Sequence, residues 1–208
     1  MDKIIEFVKE ELANDLSGHN FKHIERVYNN ALLLIKYEGG NKKIILTSCL
    51  LHDLVDDKLF DNIEQQKQKI INILKENNYN LSEIEQILNI ISSISFHHGN
   101  IDECNDLNLE IVRDADRLDA LGAIGIIRCI EYGNNLRRPF YEDDNLLINN
   151  EKIEFNKTTN TSLSHFYDKL LKLKDYMHTY TAKQIALRRT AFLEIFLDEF
   201  YQELKNKR

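Results

Sequence analysis

The residues that invite a chemical reading are His52 and Asp53, at the polar end of the apolar run Cys49-Leu50-Leu51. Aspartate is rarely buried unless it is paired or holds a metal. Side by side, the two offer a neutral imidazole nitrogen and a carboxylate oxygen, a mixed donor pair suited to a divalent cation. Two further acids, Asp56 and Asp57, and then Lys58 follow directly. His23 and Asp116 are the residues elsewhere in the chain that complete a four-donor set, and helix bundles build metal sites from side chains on facing helices. Taken alone, His23 reads as an ordinary core or surface histidine, and Asp116 as one charge of a solvated face. Against the second reading, Asp114, Arg117 and Asp119 fall at different angles around one helix, so some of these charges face the interior or a cleft.

A divalent cation held by imidazoles and carboxylates acidifies water and polarises a phosphoryl oxygen. Phosphoryl chemistry also needs positive charge beyond the cation. Arg26 lies one helical turn after His23. Lys58 follows the paired acids, and Lys169, Lys172 and Arg188 lie in the C-terminal part, where surface solvation is the competing fate. The segment Asp56-Asp57-Lys58 has its own bland reading as an acidic helix stop.

The elements that position these groups are helical. Apolar residues recur at helical spacing over 2–13, 20–38 and 42–55, with His52 and Asp53 at the end of the third stretch. Gly39-Gly40 stops the second helix. Further helices are expected at 62–77 and 82–96, the latter opened by a Ser82/Glu85 capping box. One helix is expected from Leu109 through the acidic stretch into Ala120–Ile127, with close packing offsetting its glycines. Residues 134–160 are Asn- and Asp-rich, contain Pro139 and show little periodicity, which suggests a lid or a partly disordered segment. Helices over 162–178 and 181–204 close the chain.

Composition agrees. The 208 residues include 43% hydrophobic residues, 7 Gly and 1 Pro, which supports a helical core and argues against a turn-rich sandwich or barrel. A net charge of -7 disfavours general nucleic-acid binding. Cys49, Cys104 and Cys129 are odd in number and lack metal-knuckle spacing, so a reduced cytoplasmic protein is expected, with Cys49 and Cys129 as core residues. The N-terminus is amphipathic and acidic rather than signal-like, and no stretch approaches the ~20 apolar residues of a membrane span.

The ordered set His23-x-x-Arg26-Val27, Leu51-His52-Asp53 and Asp114-Ala115-Asp116-Arg117-Leu118-Asp119-Ala120 resembles the HD-domain metal-dependent phosphohydrolases. Arg113–Ile127 and His165–Lys174 resemble the YedJ/YpgQ-type bacterial branch, and the likeness runs from about residue 15 to the end. The resemblance implies an all-α HD-domain bundle with a metal at its centre, held by His23, His52, Asp53 and Asp116, while Asp114 is structural or supports the ligands. It sets Asp56 and Asp57 beside the paired acids of the related stringent-response hydrolases, although Asp56 stands where those have Glu and reaches one methylene less far. Arg26 and Lys58 become the candidate phosphate binders.

The expectation is a single HD domain over 1–208, with a helical core at 15–132, a loop or lid at 134–160 and C-terminal helices at 162–205. The expected activity is hydrolysis of a phosphate ester or phosphoanhydride, with a nucleotide as the small-molecule substrate and nucleoside triphosphate pyrophosphohydrolysis as the specific reaction. Manganese stands first as cofactor, ahead of Mg, Fe, Zn, Co or Ni. Alternatives are a catalytically silent nucleotide-binding regulator and a di-iron oxygenase, which needs His97 or His98 as an extra ligand. A polar helix end is preferred for that pair, and hence one strongly bound metal. No stable nucleic-acid or membrane partner is expected, and the sequence leaves the oligomeric state open.

Overall fold

The computed structural model describes residues 1–13, 20–57, 59–94, 105–142 and 161–204. The described residues are all-α, with no strand among them. Contacts divide them into two compact units, one holding the residues up to Asp116 and the other those from Arg117 onward.

The first unit contains α1 (Asp2–Glu11), α2 (Phe21–Glu38) and α3 (Lys42–Leu51), the last followed without a break by a 3-10 turn, His52–Val55. After it come α4 (Ile63–Glu76), α5 (Leu81–Ser92) and most of α6 (Leu107–Asp119). At its centre is α3, whose residues are all buried from Ile44 to Leu51, as expected of a helix that is apolar all round. Helices α1, α2 and α5 pack on it, and the 3-10 turn packs on α4 and α5. Helix α2 is amphipathic and buries His23, Ile24, Val27, Ala31 and Leu34 on one stripe.

Local chemistry sets where these helices begin. The Asn20 side chain accepts from the Lys22 amide and opens α2, and Asn41 accepts from the amides of Lys43 and Ile44 and opens α3. Between α2 and α3, Gly39 and Gly40 take φ of 85° and 91°, a conformation that glycine adopts without penalty. The capping box of α5 is formed by Asn80 and Glu83, not by Ser82 and Glu85, because the helix starts one residue earlier than its apolar period suggests. The third helix also differs from expectation, since its last turn tightens to 3-10 at His52.

The second unit contains α7 (Gly122–Asn135), α8 (Ser162–Asp168), a 3-10 stretch (Leu170–Tyr176) and α9 (Tyr180–Leu204). Helix α9 packs on α7 and on the 3-10 stretch. Phe166 stacks on Phe196, and Phe196 on Phe200, at centroid distances of 5.8 and 6.4 Å. The helix expected to run unbroken from Leu109 to Ile127 is two helices. Helix α6 stops at Asp119, and Gly122 turns the chain with φ 73°. Gly125 is required by that turn, since a Cβ there would lie 2.2 Å from the Ala120 carbonyl oxygen. The single helix expected over 162–178 is likewise split, at Lys169. Helix α7 carries the chain to Asn135, and the amides of Ser162 and Leu163 donate to the carbonyls of Pro139 and Phe140. The remainder of the expected lid, beyond Glu142, lies outside the described residues, as do Cys104, His97 and His98. Cys49 and Cys129 are buried, as expected of core thiols.

Candidate metal centre

Three elements of the first unit bring the four predicted donors together: α2 carries His23, the 3-10 turn carries His52 and Asp53, and α6 carries Asp116. The tightening at the end of α3 has a local cause. The His52 ring turns back so that Nδ1 meets the Cys49 carbonyl at 2.9 Å. A carbonyl oxygen only accepts, so Nδ1 carries a proton, which leaves Nε2 as the ring nitrogen that can offer a lone pair to a cation.

That lone pair faces the other donors. His52 Nε2 lies 3.3 Å from His23 Nε2 and 3.1 Å from Asp53 Oδ1. His23 Nε2 lies 3.5 Å from Asp53 Oδ2 and 3.4 Å from Asp116 Oδ1, and Asp116 Oδ1 is 3.8 Å from His52 Nε2. Donor atoms about 2.1 Å from one cation, at octahedral or tetrahedral angles, stand about 3.0–3.4 Å from each other. The observed separations fall on that range or slightly outside it. Donor atoms of His23, His52 and Asp53 all lie within 4.8 Å of one another.

Burial supports the same fit. The side chains of His23, His52 and Asp53 are 1%, 3% and 8% exposed, whereas that of Asp116 is 33% exposed and forms the open side of the set. Asp53 Oδ2 is buried without a hydrogen-bond donor among the described residues. A buried carboxylate oxygen in that state costs free energy, and a cation coordinated by it removes the cost. Two imidazole nitrogens and two carboxylates suit a divalent first-row cation. Cys49 lies behind the site but does not join it. Burial, and then the Asp116 carboxylate, push its thiol well above the ordinary range, so it offers no thiolate.

Helix α6 is braced at several points that the sequence did not reveal. Asn30 Nδ2 of α2 donates to the Ala115 carbonyl at 3.0 Å, next to Asp116. Arg113 Nε and Nη2 donate to the Ser93 carbonyl at 3.1 and 2.7 Å. Asn108 Oδ1 accepts from the Asn41 amide at 2.8 Å. Asp114 is fully buried, in keeping with a structural place. These side chains bond to backbone groups of distant elements, so neither periodicity nor a motif marks them. Past Asp116, in the second unit, Asp119 pairs with Arg128 at 2.9 Å, and Arg117 donates to the Tyr176 carbonyl and to His178 Nε2.

The remaining candidates stand as follows. Arg26 is half-buried on α2. Asp56 is half-buried at the exit of the 3-10 turn, where its amide donates to the Asp53 carbonyl at 3.2 Å, and Asp57 is exposed. Lys58 lies outside the described residues. In the second unit, Lys169 and Lys172 are half-buried and Arg188 is exposed.

The chain matches the HD domain family over residues 20–121, a span that contains all four donors. It is 29% identical to the uncharacterised protein YpgQ of Bacillus subtilis, over 98% of this chain and 93% of that one. The structure of YpgQ in complex with ADP is similar with a TM-score of 0.79 and 29% identity, covering 97% of this chain and 96% of that one. A structure of an HD-superfamily hydrolase from Bacillus thuringiensis is similar with a TM-score of 0.77 and 39% identity, covering 98% and 96% of the two chains. The likeness extends well past the matched span on both sides of the donor set, and the protein belongs to the HD superfamily of hydrolases.

Proposed function

We propose that the protein is a metal-dependent phosphohydrolase acting on nucleotides, with nucleoside triphosphate pyrophosphohydrolysis as the specific reaction. The observation that carries this reading is the converging donor set, with the His52 tautomer fixed by the Cys49 carbonyl and Asp53 Oδ2 left without a donor. His23, His52, Asp53 and Asp116 hold one divalent cation, with manganese the first choice. When bound, that cation supplies Lewis-acid polarisation of a phosphoryl oxygen and lowers the pKa of water. The ADP in the YpgQ structure supports a nucleotide as the substrate class.

The chain's own groups do the rest. Asp56, at the exit of the 3-10 turn, orients the attacking water and takes its proton, and Asp57 assists. Asp56 stands three residues from Asp53, the spacing that the Glu of the related hydrolases has, and reaches one methylene less far. Arg26, one turn along α2 from His23, neutralises phosphate charge, and Lys58 adds a second cation. Water adds to phosphorus as the phosphoanhydride P–O bond breaks, and the leaving pyrophosphate carries the released electron pair.

The test is a panel of nucleoside mono-, di- and triphosphates incubated with protein loaded with each candidate metal, with products separated by anion exchange. A triphosphate converted to monophosphate and pyrophosphate is expected, with turnover abolished in Asp53→Ala. Wild-type turnover in Asp53→Ala overturns the site assignment. Tight nucleotide binding with no product under any metal replaces the hydrolase reading with that of a nucleotide-binding regulator.

A further inference from the structure

We infer that Asn30 is a positioning residue for the metal centre. By holding the peptide group that leads into Asp116, it sets that carboxylate against His23 and so raises the affinity for the cation. The inference rests on the proposed reading of Asp116 as a metal ligand. Asp116 is the most exposed donor of the four, with 33% of its side chain open, whereas the side chains of His23, His52 and Asp53 are enclosed. His52 is also pinned, through Nδ1, to the Cys49 carbonyl. The placement of Asp116 Oδ1, 3.4 Å from His23 Nε2 and 3.8 Å from His52 Nε2, therefore depends on where the backbone of α6 lies.

The ties that hold α6 differ in what they join. Asn108 accepts from the Asn41 amide at the start of α3, and Arg113 donates to the Ser93 carbonyl at the end of α5. Of the three, only the Asn30 bond runs from a helix that carries a donor to a peptide that adjoins another. Its Nδ2 donates at 3.0 Å to the Ala115 carbonyl, whose carbon is bonded to the Asp116 nitrogen. Asn30 follows His23 by two turns on the same face of α2. One rigid helix thus carries both His23 and the amide that holds the approach to Asp116, so the separation of the two ligands is set within a single frame. Packing grips α6 less here than a turn earlier, since Ala115 buries only a methyl group while Ile111 and Val112 bury branched chains. Leucine at position 30 would keep the volume of asparagine and remove the donor. Loss of a group that orients a metal ligand costs about 10–100-fold in metal affinity.

The test titrates chelated full-length protein with manganese by calorimetry and with cobalt by visible absorption, which responds to the number and kind of ligands. Far-UV circular dichroism and urea unfolding without metal are the controls for folding. Asn30→Leu is expected to bind manganese about tenfold or more weakly than wild type and to shift the cobalt spectrum towards that of Asp116→Ala. Asn108→Ala removes a comparable tie at the far end of α6. It is expected to lower the urea midpoint as Asn30→Leu does, and to leave manganese affinity and the cobalt spectrum unchanged. If Asn30→Leu fails to fold, Asn30→Ala is read by the same criteria. Wild-type affinity and spectrum in Asn30→Leu, while Asp116→Ala loses both, overturn the role of Asn30 and leave the metal site standing. So does an equal loss of affinity in Asn108→Ala. A wild type that binds neither cation overturns the metal site, and the role of Asn30 with it.

Discussion

Asp53→Asn separates a metal ligand from a buried structural ion pair, because the two roles predict opposite behaviour without metal. Asp53 Oδ1 stands 3.1 Å from His52 Nε2, and Oδ2 has no donor among the described residues. Asparagine keeps the shape, removes one of two carboxylates beside His23, and can donate to His52 Nε2. The metal-free variant is therefore expected to be within about 1 kcal/mol of wild type. A true buried ion pair broken on one side would cost about 3–5 kcal/mol with or without metal. Metal reverses the comparison. At a concentration 100-fold above Kd, binding to the folded state adds about 2.7 kcal/mol to the wild type. For a chain of this size that is roughly 5–11 °C in Tm. Loss of an outer-shell partner already costs 10–100-fold in affinity, so loss of a direct carboxylate costs at least about 100-fold. The variant's increment at the same metal concentration then falls to about 0.4 kcal/mol, or roughly 1–2 °C. The assay is thermal unfolding across a metal titration after exhaustive chelation. An undiminished metal increment in Asp53→Asn, or a metal-independent loss of several kcal/mol, would rule out Asp53 as a metal ligand.

Four further outcomes follow from the fold. Gly125→Ala forces a Cβ to within 2.2 Å of the Ala120 carbonyl oxygen and is expected to destabilise by about 3 kcal/mol or more. Gly39→Ala, where nothing lies within 4 Å, is expected to cost only the backbone strain of its φ 85°, ψ -141° conformation, about 1–3 kcal/mol; urea unfolding of both variants checks the contrast. Asn80→Ala removes the capping box of α5 and is expected to cost about 1 kcal/mol by the same measurement. Cys129 is pushed from an ordinary 9.0 to about 12 by burial first and then by the Asp168 carboxylate, against Arg138 and Lys169. The unfolded thiol loses its proton near its ordinary value while the folded one keeps it. Its contribution is therefore intact below about pH 9 and falls by about 1.4 kcal/mol per pH unit above it until the folded thiol ionises. Cys129→Ala is expected to make the alkaline limb of the stability profile shallower by that slope and to leave its shape below that pH unchanged.

The candidate set was legible at His52, Asp53 and Asp116 because the signals there are local, whereas His23 alone reads as an ordinary histidine. His52 and Asp53 adjoin at the end of an apolar helix, and the charges around Asp116 cannot all be solvated on one helix. The structure indeed buries Arg113, Asp114 and Asp119. The braces were not legible, because Asn30, Asn108 and Arg113 act by reaching backbone groups far away in sequence. The break between α6 and α7 was hidden because Ala120–Ile127 keeps a helical apolar period through it. Only the left-handed Gly122 and the Ala120–Gly125 approach end the helix, and both are backbone facts. The misplaced capping box has a similar origin, since Asn80 and Ser82 are equally good caps and the choice between them depends on where Leu81 starts the first turn.

On the proposed reading, His23, His52, Asp53 and Asp116 hold the cation that nucleotide hydrolysis requires. That role is tested most directly by the rate of nucleoside triphosphate cleavage as chelated protein is titrated with manganese, in wild type and in His52→Ala. Turnover is expected to rise to saturation at one equivalent in wild type and to be absent from His52→Ala at every metal concentration. Cleavage that survives chelation, or that proceeds in His52→Ala as in wild type, would contradict it.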